Sequence, residues 1–333
     1  MNPEPAIAVE NLTVRFRQRD RTVEAVNGVS FALGRGEVLG ILGESGSGKT
    51  VSLRALMRLL PANCEIGGRV AIDGEDITSA SPARLEELRG PKIAMIFQEP
   101  VTALDPVFTI GAQIAETITR HEGTTRREAQ RRAVELLERV RIPSARQRLA
   151  AFPHEMSGGM RQRAMIALAL SCKPSVLLAD EPTTALDVTV QIQILLLLRE
   201  LQREFGMAVI FVTHDVGAAA EISDRLGVMY AGRFVETGTA RDVLHHPAHP
   251  YTEGLLAANL HRAEPGSRLQ TIPGAPPNLA ALPRGCSFAP RCPYALAGCA
   301  EATPPPGRSF GGDHVAHCVR APEAAGIAAA LPT

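Results

Sequence analysis

The chain carries no excess charge, since 35 Lys and Arg balance 35 Asp and Glu. A broad basic field of the kind that holds proteins on nucleic acid is therefore missing, and DNA or RNA is not an expected partner. Long hydrophobic runs are missing too. Ile192 to Leu198, interrupted by Gln193, stops at Arg199 and Glu200, far short of the ~20 residues that cross a bilayer. The opening Met1 to Glu10 has neither the basic segment nor the apolar stretch of a secretory signal, which predicts a reducing, cytosolic location and no disulfides. No internal repeat is visible, which argues for one unit rather than two.

At 333 residues there is room for one large domain and an appendage. The runs Ile7 to Phe16, Val23 to Leu33 and Glu37 to Leu42 read as strands, two of hairpin type and the third buried. Val51 to Leu60 repeats apolar residues at helical spacing, closed by Pro61 and Asn63. From Ile110 to Ala169 the pattern is mostly helical, which predicts a helical subdomain between core strands. Val176 to Ala179 and Val209 to Val212 are apolar runs without alternation, as in buried parallel strands. After about His245 the composition becomes Pro-rich, marking a linker into a cysteine-bearing tail whose small-residue end reads as disordered. The arginines of Arg126 to Arg141 are interleaved with Glu128, Glu135 and Glu138, the pattern of a solvated helix face.

Gly43-Glu44-Ser45-Gly46-Ser47-Gly48-Lys49-Thr50 fits the Walker A pattern, preceded by a β-rich run and followed by a helix. Its glycines let the loop wrap phosphate oxygens with backbone N–H groups, Lys49 neutralises charge, and Thr50 offers a hydroxyl to Mg2+. Downstream, Val176 to Ala179 runs into Asp180 and Glu181, which resembles Walker B. Asp180 is expected in the magnesium shell, and Glu181 is expected to orient and polarise the attacking water. The bland readings are a Gly-rich turn and a solvated acidic turn, both weakened by the strand–loop–helix order.

Many phosphate-loop proteins share those two motifs. Met156-Ser157-Gly158-Gly159-Met160-Arg161-Gln162-Arg163 offers a serine hydroxyl and two glycine N–H groups at a helix start, suited to a γ-phosphate. By itself it would be only a helix cap. Placed before Walker B, it resembles the signature of the ABC ATPases, and the resemblance covers about Ile7 to Leu260. Three further positions match that family: Gln98 the Q-loop glutamine, contacting magnesium and water; Asp187 the D-loop aspartate at the dimer seam; and His214 the switch histidine near the γ-phosphate. Phe97-Gln98-Glu99-Pro100-Val101-Thr102-Ala103-Leu104-Asp105-Pro106 and His154 to Met160 are similar to the ATPases of oligopeptide and dipeptide importers.

The resemblance implies a P-loop NTPase α/β core with an antiparallel β subdomain, a helical signature subdomain at about 99–172, and an extension from 261 to 333 beyond a nucleotide-binding domain of 1–260. It implies ATP and Mg2+, a second ABC ATPase subunit that completes the site, two transmembrane permease subunits, an extracytoplasmic solute-binding protein, and peripheral attachment at the cytoplasmic face of the inner membrane. Peptides are the implied cargo, with nickel or another small solute as the alternative. A soluble ABC ATPase of translation or DNA repair carries the same motifs, typically with two cassettes or long inserted arms. Two departures stand out: the signature has Met156 and Met160 where the family has Leu and Gln, and Arg19 to Val23 holds no aromatic to stack on adenine, leaving Phe16 as the nearest candidate.

Of six cysteines, Cys286, Cys292, Cys299 and Cys318 fall in the tail. Cys64 and Cys172 read as ordinary small residues. Four clustered thiols in a cytosolic appendage suggest a metal that could order a segment poor in apolar residues. The tail around Cys286 to Pro293 is similar to the extension of importer ATPases, some of which carry a four-iron cluster. A [4Fe-4S] cluster, Zn2+ with His314 or His317 replacing one thiolate, and no metal stay open as readings.

Overall fold

The computed structural model describes residues 4–18, 20–184, 186–258, 271–301 and 304–320. The tail end 321–333, read above as disordered, lies outside them, as does Arg19. The chain divides into two units, the first formed by 1–8, 32–37 and 71–210, the second by 9–31, 38–70 and 211–333.

The first unit is built on two strands, Ile93–Ile96 and Val176–Asp180, every residue of which is buried. They pair in parallel, Ile93 opposite Val176 and Ile96 opposite Ala179. Their unbroken apolar runs are what a strand covered on both faces requires, and the run ends in Asp180, 1% exposed. Around them stand the helices Ile110–Glu122, Arg126–Arg139, Gly158–Ala169 and Val188–Phe205. Thr109 and Thr125 cap the first two, their hydroxyls accepting from the amides of Ala112 and Glu128 at 3.3 Å, and Gly123 closes the first at a left-handed φ of 64°.

Arg126–Arg139 buries Ala129, Ala133, Leu136 and Leu137. Its arginines meet carboxylates in the solvated-face pattern: Arg131 pairs with Glu128 and Glu135, Arg132 with Glu122, and Arg139 with Glu204. A separate polar knot gathers at Asp73, which takes Lys92 Nζ at 2.8 Å, the Ser175 hydroxyl at 2.7 Å, and Arg35.

In the second unit the strands Thr22–Leu33, Ile7–Arg17 and Cys64–Ile72 lie side by side in that order. A second layer starts with Val38–Leu42, entirely buried, in parallel register with Arg225–Tyr230, Leu39 opposite Arg225 and Leu42 opposite Val228. Arg233–Thr239 returns antiparallel beside it. The tail continues this sheet: Val315–Ala316 pairs with Arg233–Thr239 and Arg308–Ser309 pairs with Val315–Ala316. The tail also enters the core, where Phe288 packs with Tyr230, Tyr251, Val228, Val243 and Leu256.

The helix expected from Val51 to Leu60 runs from Lys49 to Leu56. It stops early because Arg58 turns left-handed, φ 54°, and the Leu59 amide folds back on the Arg54 carbonyl at 2.8 Å, a helix-ending arrangement that satisfies an orphan acceptor. Among the described residues no helix is long and apolar enough to cross a membrane.

Candidate nucleotide site

The phosphate loop lies in the second unit, between strand Val38–Leu42 and helix Lys49–Leu56. Its glycines are there for different reasons. A Cβ on Gly43 would stand 2.3 Å from the Met229 carbonyl oxygen, and one on Gly48 2.4 Å from that of Ala25, with φ at +106°; both need a residue without a side chain. Gly46, at φ +79°, faces open space. Lys49 is buried and its ammonium donates to the carbonyls of Gly43 at 2.7 Å and Glu44 at 2.9 Å. The Ser47 hydroxyl is buried with no hydrogen-bond partner among the described residues, an uncompensated cost unless a ligand's polar atom meets it. Ser45 completes the loop, and Thr50 follows Lys49 in the first helical turn.

Glu44 is held at both ends. Its amide donates to the Tyr251 hydroxyl at 2.9 Å, and its carboxylate accepts from Arg291 through both terminal nitrogens, at 2.6 and 2.9 Å. Burial pushes the Tyr251 hydroxyl well above the usual phenol range. The hydrogen bonds from its guanidinium to Glu44 keep Arg291 charged despite burial. His214 is exposed beyond strand Ala208–Thr213, and the next residue, Asp215, caps the following helix by accepting from the Gly217 amide at 2.7 Å. Phe16 is half-buried on strand Ile7–Arg17.

The first unit brings Gln98 and Glu181 together. Gln98 Nε2 donates to Glu181 Oε2 at 3.4 Å, and the Thr184 hydroxyl donates to the same oxygen at 3.0 Å. Glu181 has a left-handed backbone, φ 44°, unusual for a residue with a long side chain and a form of strain that gathers at functional positions. Ser157 caps helix Gly158–Ala169, its hydroxyl accepting from the Met160 amide at 3.3 Å, so the cap reading of Ser-Gly-Gly holds locally. Ser157 and Gly158 are exposed at that helix start. A Cβ on Gly159 would stand 3.0 Å from Val190 Cγ1, on the helix that Asp187 caps through the Val190 amide at 2.9 Å. Met156, where the family has Leu, is buried at 2% exposure.

The four tail thiols of Cys286, Cys292, Cys299 and Cys318 line one cavity with His249, Phe288 and Tyr294. All four cysteines are free. Burial pushes the Cys292 thiol up to about 11, and it raises Cys286 and Cys318 as well, so without a bound cation these groups are protonated and unreactive. Among the described residues no group of three or more His, Cys, Asp or Glu side chains is placed to hold a single metal ion. The zinc alternative through His314 or His317 loses its ligands. His314 Nε2 lies 2.8 Å from Glu236 Oε1, inside the core, and His317 Nδ1 lies 3.1 Å from the Pro305 carbonyl.

Comparison with known proteins decides the family. The oligopeptide transport ATP-binding protein OppD of Salmonella typhimurium is 50% identical over 305 residues, 91% of this chain and 91% of that protein. The chain belongs to the ABC transporter ATP-binding family.

OppD of Escherichia coli is 51% identical over 296 residues, covering 89% of this chain and 88% of its own. The ABC transporter family matches residues 26–184, and the oligopeptide/dipeptide transporter C-terminal region matches 235–299. The dimeric ATP-binding cassette MJ0796, in a post-hydrolysis state bound to ADP and Pi, superposes with a TM-score of 0.64 at 28% identity, over 71% of this chain and 99% of its own. The fold is therefore the mixed α/β ABC ATPase fold, and ATP with Mg2+ is the nucleotide pair that goes with it. Three residues around Glu44 carried no motif signal, since Tyr230, Tyr251 and Arg291 are far from the loop in sequence.

Proposed function

We propose that this chain is the ATP-hydrolysing subunit that energises import of peptides, or related small solutes, through a separate ABC membrane pore. The observation that carries this reading is the match across the C-terminal region as well as the cassette, at 235–299 and 26–184. A translation or DNA-repair ATPase has no reason to share that region.

In this reading residues 1–260 form the nucleotide-binding domain, with a helical subdomain at about 99–172, and 261–333 form the extension. Gly43 to Thr50 wrap the phosphates, and the buried Ser47 hydroxyl supports the fit of an anion there. Thr50, Asp180 and Gln98 serve Mg2+, which neutralises charge on the transferring phosphoryl group. Glu181, held by Gln98 and Thr184, orients the attacking water, and His214 senses the γ-phosphate. Ser157, Gly158, Gly159 and Asp187 complete the nucleotide of a second ATPase subunit, while Phe16 stacks on adenine.

The chain sits peripherally at the cytoplasmic face of the inner membrane, against two permease subunits served by an extracytoplasmic solute-binding protein. A groove of the helical region supports the docking reading. It is lined by Phe108, Ala112, Ala115, Arg126, Leu149 and their neighbours, and Phe108 and the preceding Val107 are more than half exposed. ATP favours the closed dimer and ADP does not, so hydrolysis resets the equilibrium. The four tail cysteines line one cavity, and a [4Fe-4S] cluster, if bound, would be held there by their thiolates.

Detergent pulldown of the tagged chain from its own cells, with wild type and Glu181→Gln side by side, tests the assignment. Copurification of two polytopic membrane proteins and a second ATPase, with ATP retained by the variant, supports it. Recovery with ribosomes or repair proteins overturns the transport role.

A further inference from the structure

The second residue of the phosphate loop is an acid, which is awkward for a loop that must hold polyphosphate. A carboxylate at that position repels the ligand unless another group cancels its charge. Arg291 does so, with two parallel hydrogen bonds of 2.6 and 2.9 Å to Glu44, the fork geometry that a planar guanidinium makes and an ammonium does not.

The pairing is built rather than incidental. The Arg291 side chain is only 5% exposed. Its Nε donates to the Pro273 carbonyl at 2.9 Å, one terminal nitrogen reaches the Tyr230 hydroxyl at 3.4 Å, and the guanidinium lies 5.9 Å from the centre of the Tyr230 ring. The loop backbone at Glu44 is fixed in the same place by the Tyr251 hydroxyl. Arg291 itself ends the short turn Ala289–Arg291, whose amides bond back to Cys286 and Phe288. Cys286 and Cys292 flank that turn, and the Cys286 amide donates to the Cys299 carbonyl at 2.8 Å.

We propose that Arg291, supplied by the cysteine-bearing extension, is a positioning residue of the nucleotide site: it neutralises Glu44 and holds the phosphate loop in its binding shape. The proposal rests on the nucleotide reading of Gly43 to Thr50. Order in the extension then becomes a condition for ATP affinity, because the turn that carries Arg291 is shaped by the cysteine segment around it.

The test is ATP affinity and steady-state hydrolysis of the full-length chain, with melting temperature read alongside. The variants are Arg291→Ala, Arg291→Lys, Glu44→Gln, the double variant Arg291→Ala with Glu44→Gln, and Lys49→Ala as a control. Arg291→Ala is expected to weaken ATP binding about tenfold or more while kcat at saturating ATP changes little. Arg291→Lys is expected to fall between that variant and wild type. The double variant is expected to regain most of the lost affinity, because removing the carboxylate removes the repulsion, a rescue that a purely structural role of Arg291 does not produce. If Arg291→Ala lowers the melting temperature too far for measurement, the Lys variant and the rescue in the double variant decide. Unchanged affinity in a folded Arg291→Ala or Arg291→Lys, or losses that simply add in the double variant, overturns the proposal. Unchanged affinity in Lys49→Ala instead overturns the nucleotide reading beneath it.

Discussion

Gln98 and Thr184 both donate to the same oxygen of Glu181, Oε2, at 3.4 and 3.0 Å. In the proposed role of Glu181, orienting the attacking water, these two donors fix the position of its carboxylate. Glu181→Gln keeps size and backbone but cannot accept a proton, so phosphate release is expected to fall by roughly 10²–10⁴-fold while ATP stays bound. Phosphate-release kinetics together with nucleotide content of the purified variant check this; loss of bound nucleotide would assign Glu181 to binding instead.

Asp73 offers a pH test of stability. Burial alone would raise its carboxyl, but the hydrogen bonds from Lys92 and Ser175 and the charges of Arg35 and Lys92 hold it below the usual 3.8. A depressed folded value means the ionised form is favoured by folding, so this contribution is full above about pH 4 and is lost as pH falls through the folded value. Asp73→Asn suits the left-handed backbone there, φ 47°. It is expected to cost about 1–3 kcal/mol at neutral pH, with the gap to wild type closing below pH 4. Denaturant melts across pH 3 to 7 measure it.

Phe288 places the tail in the core, 2% exposed, with ring centres 5.3 Å from both Tyr230 and Tyr251. Phe288→Ala is expected to cost about 3–5 kcal/mol, visible as a lower unfolding midpoint. A change below about 1 kcal/mol would mean that the tail packs loosely on the cassette.

The thiol cavity makes a compositional prediction. Chain purified without oxygen is expected to carry four iron and four acid-labile sulfide, with visible absorption that Cys292→Ser removes. Zinc in their place, or no metal at all, would end the cluster reading.

Much of this was legible in the sequence because the motifs are local. The phosphate loop needs contiguous glycines, and the strand before Asp180 is apolar at every position because both its faces are covered. The end of the first helix was not legible: Leu59 and Leu60 continue the apolar spacing, but the left-handed turn at Arg58 leaves no periodic trace. The partners of Glu44 were hidden for a different reason. Arg291 is 247 positions away, and no spacing rule links residues that meet only through folding. The tail read as an appendage because its proline content marks a linker. Its pairing with Arg233–Thr239 uses a two-residue strand, too short to show alternation.

That short strand has a consequence for anyone who would trade parts between related ATPases. Ala316 sits opposite Glu236, and the wholly buried Glu236 carboxylate is satisfied by the Ala248 and His249 amides and by His314 from the tail. A chimera joined in the proline-rich linker would cut between a buried acid and one of its hydrogen-bond partners. The natural seam for grafting lies upstream of Arg233, so that the returning strand, the acid and the cysteine lobe travel together as one heritable piece.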